Sequence, residues 1–540
     1  MKRRIAMSML AGATLLAGTL FGAAPAQSAQ ARPTAARQAA VPAEFGTDWH
    51  DPVTAAPPVI RPSGRSCQVT VAEARFRDFT PYTGSYAPPE GCGDRWAKVV
   101  LRMDGKVKGR QFDRLGYLHV GGVEIFRTST PQPSPDGIEW SVEKDVTRYS
   151  DTFRGAHDVE MLIGNVVDDT YTGIIDVKVT LTFYPGREAA SVPDRVLTPD
   201  GNTLTTPRNS ERVVAEVYAT GSGGGCEEYW YLAVPSNAPY SCRADDGPYR
   251  EVQIKVDGRL AGIAAPFPTV WTGGWSNPFL WYVVPGPRAL DVKPIEYDLT
   301  PFAGILNDGR PHRVEVAVVG VPEGQPGWST PVNVLVWQDA ERAHVTGKLT
   351  AHTSGDLADS STYTPGSEHR VDTRGDHRLT VAGYVDTSHG RVTTTVRRSL
   401  ANTSTHRWAD GENPDALRAT WTDAESVTVD GRGPARTTRT HRTYTMDGTT
   451  TIGTGDRLRT VLTLGDRADV TVTRAGHRTG WYGLDDTYTG DATYAINVPR
   501  DQRHAVGTSS ERYRIRGSSG CYDRYLATAQ GVVTEETDRC

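Results

Sequence analysis

The sequence predicts an all-β protein built of antiparallel sandwiches, and three observations predict it. Short runs alternate apolar and polar side chains and stop at Gly, Pro or Asp. Among 540 residues, 22 Tyr and 12 Trp stand against six Met, while 55 Gly and 35 Pro supply turns. No helix-period pattern of convincing length occurs in the mature chain.

Each element follows in order. Lys2, Arg3 and Arg4 precede an uncharged stretch from Ile5 to Ala24, and small residues follow at Ala24-Pro25-Ala26 and Ala29-Gln30-Ala31. This predicts a secretory signal over residues 1–31. An uncleaved anchor fits less well, because the stretch is short and interrupted by Gly. No later segment is apolar enough to span a bilayer, so no membrane association is expected after cleavage. Residues 32–61, rich in Ala and Pro, predict a disordered leader. A first sandwich over 62–187 follows from the runs Trp96–Met103, Tyr117–Val120, Val123–Phe126, Val159–Ile163 and Val177–Phe183. Residues 188–209 read as a polar linker. A second sandwich over 210–340 follows from Val213–Tyr218, Val252–Val256, Val314–Val318 and Val332–Trp337. From 345 to 540 the composition turns to Thr, Arg, Asp and Gly while alternation persists, as in Leu458–Leu464, which predicts a C-terminal β domain.

Charge and cysteines narrow the function classes. Lys plus Arg is 59 and Asp plus Glu is 64, a net of −5 with no basic stripe for nucleic acid. The six cysteines fall into neighbouring pairs, Cys67 with Cys92, Cys226 with Cys242 and Cys521 with Cys540. That pairing is the nearest-neighbour choice among the many that six thiols allow. With no CxxC or CxxxC, structural disulfides of an oxidising compartment fit better than a zinc-thiolate site. HExxH, P-loop, GxSxG and GxGxxG motifs are absent, which leaves zinc peptidase, NTPase, serine hydrolase and Rossmann readings without their anchor. No metal or other cofactor is expected.

What remains is a concentration of carboxylates and aromatics. Arg110-Gln111-Phe112-Asp113-Arg114 sets an acid between two guanidinium groups before a strand, which pushes Asp113 towards ionisation; a structural ion pair would use the same residues. Cys226-Glu227-Glu228-Tyr229-Trp230-Tyr231 sets two acids beside three aromatics. On a strand the two acids face opposite sides, and aromatic neighbours raise the pKa of whichever enters a cleft. Trp271, Trp275 and Trp281 lie on a Gly-rich segment without periodicity. They suit either a platform for sugar rings or a buried cap over a sandwich end.

These residues carry a resemblance. Gly109 to Tyr149, then Gly164-Asn165, Tyr171-Thr172-Gly173-Ile174, Gly247 to Val252, Ala265-Pro266-Phe267-Pro268 with Trp271-Thr272-Gly273-Gly274, and Tyr297 to Phe302 resemble the peptide-N4-(N-acetyl-β-glucosaminyl)asparagine amidase A family over roughly residues 60 to 340. A weaker similarity connects Phe112-Asp113-Arg114 and Cys226-Glu227-Glu228-Tyr229 to a bacterial glycoamidase of two side-by-side jelly rolls. The resemblance implies that the two sandwiches are jelly-roll-like and lie side by side. It also implies a secreted amidase that takes N-linked glycopeptides or glycoproteins and acts best at acidic pH. Asp113 would activate water and Glu228 would act as the acid. Arg110, Arg114, Trp230, Trp271 and Trp275 would hold substrate, with Glu251 a reserve acid on a neighbouring strand. Asn165 stands near the place of a third acid. A glycan-binding protein without catalysis and a glycoside hydrolase are the alternatives.

Overall fold

The computed structural model describes residues 49–134, 136–221, 225–271, 277–325 and 327–540. The expected signal, the leader as far as residue 48, and Trp275 lie outside the described residues. The chain is all-β, with helical segments of no more than a few residues, as the alternation predicts.

The first sandwich has strands β1 (Cys67–Phe76), β2 (Tyr82–Tyr86), β3 (Trp96–Lys108), β4 (Leu115–Val120), β5 (Val123–Ser129), β6 (Ile138–Asp145), β7 (His157–Ile163) and β8 (Ile174–Pro185). They form two antiparallel four-stranded sheets, ordered β1-β8-β3-β6 and β2-β7-β4-β5. Alternation does the sorting. In β6, Ile138, Trp140, Val142 and Lys144 point inward while the residues between them stay outside or half-buried. β5 departs from alternation, being buried at all seven positions. It is an edge strand whose backbone is covered by the second sandwich: the Asn333 side chain accepts from Glu124 N–H at 3.2 Å and donates to Glu124 O at 2.8 Å.

The second sandwich contains β9 (Arg195–Leu197), β10 (Thr203–Leu204), β11 (Ser210–Val217), β12 (Thr220–Gly221), β13 (Glu251–Val256), β14 (Arg259–Ala264), β15 (Ile295–Asp298), β16 (His312–Val319), β17 (Trp328–Ser329) and β18 (Val332–Gln338). Its four-stranded sheets run β10-β16-β13-β14 and β15-β11-β18-β9. β9 and β10 fall inside the stretch expected to be a linker: apolar Val196 and Leu204 are buried and draw that connection into both sheets. Arg127 fastens the two sandwiches together. Buried itself, it donates to Glu124 at 2.7 and 3.0 Å and to Thr220 and Ser329 hydroxyls at 2.7 and 3.0 Å.

The C-terminal region is one eleven-stranded antiparallel meander. It opens with β19 (Thr346–Ser354), β20 (Ala358–Thr364) and β21 (Glu368–Thr387), and runs on to β29 (Val532–Asp538). Strands of up to 21 residues alternate over most of their length, so one face carries Leu400, Trp408, Leu417, Trp421 and Leu462. That face shares a single core with the second sandwich, including Trp230, Trp281 and Tyr297. The expected disordered leader is overturned for residues 49–61. Ala55 is fully buried, Val53 N–H donates to Val283 O at 2.8 Å, and Asp51 accepts from Glu139 N–H at 2.8 Å, so this segment is strapped across the β body. The three disulfides pair as neighbours, with Cα separations of 6.1, 5.3 and 5.8 Å for Cys67–Cys92, Cys226–Cys242 and Cys521–Cys540. Among the described residues, no helix is long and apolar enough to cross a membrane.

Candidate active site

Gly109 to Arg114 joins β3 to β4, and its shape is set by contacts that leave little freedom. Gly109 has φ +106°, and a Cβ there would stand 2.6 Å from the Thr172 hydroxyl, so only glycine fits. Gln111 is buried; its amide donates to Val166 O and Gly173 O, each at 3.0 Å. Its oxygen accepts from Phe112 N–H at 3.1 Å and from Arg114 at 3.1 and 2.6 Å. Arg114 N–H donates to the Thr130 hydroxyl, and Thr130 N–H donates to Arg114 O, both at 2.9 Å. Asp113, half-buried, is thus presented by a pinned segment.

The second acid comes from the other sandwich. Cys226–Leu232, expected as a strand, is a 3₁₀ segment instead, anchored by the Cys226–Cys242 bridge. Its backbone leaves helical geometry at Tyr229 (φ −125°, ψ 36°). The two neighbouring acids still part company, now through helical rather than pleated geometry. Glu227, 2% exposed, receives Arg250 at 2.9 and 2.5 Å and Trp328 Nε1 at 2.8 Å. Glu228 has no hydrogen bond to its carboxyl among the described residues. Burial and the negative charge of Asp113 push its pKa up to about 7, against the opposing pull of Arg114. Arg114 in turn is shifted down by burial, partly offset by Asp113, Tyr171 and Glu228. Asp113, Arg114 and Glu228 therefore form one charge cluster across the junction of the sandwiches. Tyr229 faces both acids, and burial reinforced by their charges keeps its phenol protonated.

The other expected residues divide. Arg110 lies over the Tyr171 ring at 5.5 Å, and Phe112 packs on that ring at 5.2 Å, so Tyr171 belongs to the site's wall. Trp230, expected to hold substrate, is 2% exposed and packs against Tyr231, Trp328 and Trp421; the Tyr229 kink turns it into the core. Trp271 is 6% exposed and offers little open face to a sugar. Trp281 is buried and stacks on Tyr488 of the C-terminal sheet at 4.9 Å, which makes this segment a cap where it is described. Glu251 is fully buried against Tyr249 and His377 and is not a reserve acid of this cluster. Asn165 is also fully buried, donating to Phe76 O and Gly173 O while accepting from Val166 N–H, a backbone brace rather than a third acid. Trp328 had no signal in the sequence, and Gln111, Tyr171 and Arg250 stood only inside the motifs that carry the resemblance, where nothing marked the contacts through which each acts.

Among the described residues no three His, Cys, Asp or Glu side chains converge as a metal site. A cavity of about 1860 Å³ lies elsewhere, between the sandwiches and the C-terminal sheet, lined by Arg148, Glu216, Arg288, Arg398, Glu425 and Glu511 among others. Several of its charges are committed to one another, as in Arg148–Glu216 at 2.5 Å and Arg288–Asp466 at 2.6 Å.

Fold and cluster together define a class: an all-β protein that brings two carboxyls and an arginine from separate sandwiches to one place, a set suited to acid–base hydrolysis. The chain belongs to the peptide N-acetyl-β-D-glucosaminyl asparaginase amidase A family, whose model matches residues 57–200 and 187–355, more than half of the sequence. It is 29% identical over 381 residues to peptide-N4-(N-acetyl-β-glucosaminyl)asparagine amidase A of Prunus dulcis, spanning 62% of this chain and 66% of that protein's length. Among solved structures, PNGF-II in a P21 crystal form aligns with 15% identity and a TM-score of 0.36 over 51% of this chain and 66% of that one. The PBSX exported protein XepA aligns with 8% identity and a TM-score of 0.14 over 50% and 86%. At such scores neither structural likeness carries an argument.

Proposed function

We propose that this chain is a secreted peptide:N-glycanase that hydrolyses the amide joining the innermost N-acetylglucosamine to asparagine in N-linked glycopeptides. Family membership and the name of the Prunus dulcis relative support the substrate class. The observation that carries the chemistry is Glu228, pushed up to about 7 beside Asp113. A carboxyl that keeps its proton next to one that does not is how a single site supplies acid and base together. Asp113 takes a proton from water as the oxygen adds to the amide carbonyl carbon. Glu228 gives its proton to the departing nitrogen as the carbon–nitrogen bond breaks. Asparagine becomes aspartate, and the glycan leaves as a glycosylamine. Tyr229, held protonated, is a donor within the same cluster for the carbonyl oxygen. Export is supported by the signal-like residues 1–31 and by three disulfides.

Mass spectrometry of a treated glycopeptide tests the reading. Asparagine converted to aspartate is the expected result. An asparagine retaining one sugar would replace the reading with glycoside hydrolysis, and an unchanged glycopeptide with glycan binding alone.

A further inference from the structure

Glu251 opens β13, and its buried carboxylate has an arrangement of its own. It accepts from the Tyr249 hydroxyl at 2.8 Å, from the Gln253 amide at 2.9 Å and from His377 Nδ1 at 2.8 and 2.9 Å. With a carboxylate on Nδ1, that nitrogen carries the proton, and the tautomer this selects has its lone pair at Nε2. His377 Nε2 stands 3.1 Å from Ser354 Oγ. The imidazole is 3% exposed, fixed between the C-terminal sheet and the second sandwich, whereas Ser354 is exposed. Ser354 Oγ is also 3.1 Å from Gly355 O, so turning its proton from that carbonyl to the imidazole requires only rotation of the hydroxyl.

The backbone adds a further feature. Ser354 is the last residue of β19, an end strand of its sheet. Gly355 N–H donates to Arg378 O of β21 at 2.8 Å. Successive N–H groups on a strand point to opposite sides, which turns the Ser354 N–H to the outer edge. A nucleophile's own N–H is one of the two donors that hold the oxyanion in chymotrypsin-type serine proteases.

We propose that Ser354, His377 and Glu251 form a second catalytic group, a serine esterase site for short acyl esters. Such a group is recognised by geometry and roles rather than by sequence order, so the absence of GxSxG does not bear on it. Short acyl chains fit because the serine stands on an open sheet edge, with no need for a deep apolar slot. Ser354 Oγ bonds to the ester carbonyl carbon while its proton passes to His377 Nε2. The carbon–oxygen bond to the alcohol then breaks, and the alcohol leaves with that proton. Water adds to the acyl-serine, again giving a proton to His377, and the carboxylic acid departs as the serine recovers its hydrogen. Glu251 acts through His377 and is a positioning residue.

The test uses the full chain with a fluorophosphonate probe and 4-nitrophenyl acetate. The expected result is a single phosphonate adduct mapped to Ser354. Ser354→Ala should lose the adduct and about 10²-fold or more of ester turnover, with glycopeptide hydrolysis unchanged. His377→Asn should block labelling of Ser354. Ser354→Ala, an exposed truncation, keeps the test decisive if the buried histidine variant fails to fold. No adduct at Ser354, adducts scattered over exposed serines, or undiminished ester turnover in Ser354→Ala would each overturn the proposal. None of these outcomes depends on whether the Asp113–Glu228 cluster is an amidase.

Discussion

Glu228 and Glu425 are carboxyls pushed up to about 7 in two regions of the molecule, and they differ in what surrounds them. At the junction of the sandwiches, Glu228 is raised by burial and by Asp113. Under the C-terminal sheet, Glu425 is raised by burial and by the charges of Asp423, Asp298 and Glu296, although Arg398 opposes the shift. Arg398 is itself committed to Asp423 through two contacts of 2.7 Å and reaches Glu425 at 3.3 Å. Glu425 is thus part of an interface network in which each charge answers another. Glu228 has no fixed partner among the described residues, and a second acid faces it from a different sandwich. A raised pKa reports burial in both regions; only the pairing with a half-buried acid on a pinned loop makes it useful for catalysis.

The largest effect should come from Asp113→Asn. Removal of a general base typically costs about 10²–10⁴ in rate. Deglycosylation turnover should fall by that amount while circular dichroism and the melting temperature stay at wild-type values. Turnover above about a tenth of wild type, well outside that range, would dissolve the contrast between the regions.

Glu227→Ala should act on stability instead. It strands the Arg250 guanidinium, 0% exposed on its side chain, without its carboxylate. Breaking one partner of a buried pair costs about 3–5 kcal/mol, to be read from urea unfolding. Glu227 and Glu228, adjacent in sequence, would then separate into a structural and a reacting acid.

Glu425→Gln should give a smaller, pH-dependent effect. A folded-state value of about 7 against an ordinary 4.5 means that the folded protein binds the extra proton between those values. Stability from this group is complete below about 4.5 and declines as pH rises through about 7. The decline is on the order of 3 kcal/mol for such a shift. Wild type should lose stability relative to Glu425→Gln between pH 5 and pH 8, with no change in the pH dependence of turnover. An altered turnover profile would mean that the interface also takes part in catalysis.

Much of the fold was legible because strands announce themselves locally. β4 and β7 alternate with a period of two and stop at Gly, the long C-terminal strands alternate over most of their length, and β11 and β18 announce themselves as apolar runs. The fully buried β5 was also read as a strand, although its burial comes from Asn333 in a distant part of the chain. Asp113 and Glu228 were legible as types in context, being acids next to arginine and to aromatics. Their meeting across two sandwiches came only from the family resemblance, because nothing within either segment encodes the other. Trp230 misled for a physical reason: an aromatic beside a candidate acid reads as a wall of the site, but the backbone kink at Tyr229 sends it to the core. The role of Gln111 was invisible because a neutral side chain with three backbone and two guanidinium contacts has no sequence signature.

The most direct test of the central claim is the turnover number of Glu228→Gln against pH, with aspartate formation as the readout. In wild type the proton on Glu228 is lost as pH rises through about 7, so turnover should fall across that range. Glu228→Gln should turn over about 10²-fold or more slowly at mildly acidic pH and should lack that alkaline fall. A variant that keeps wild-type turnover and the same fall near pH 7 would show that Glu228 is not the working acid.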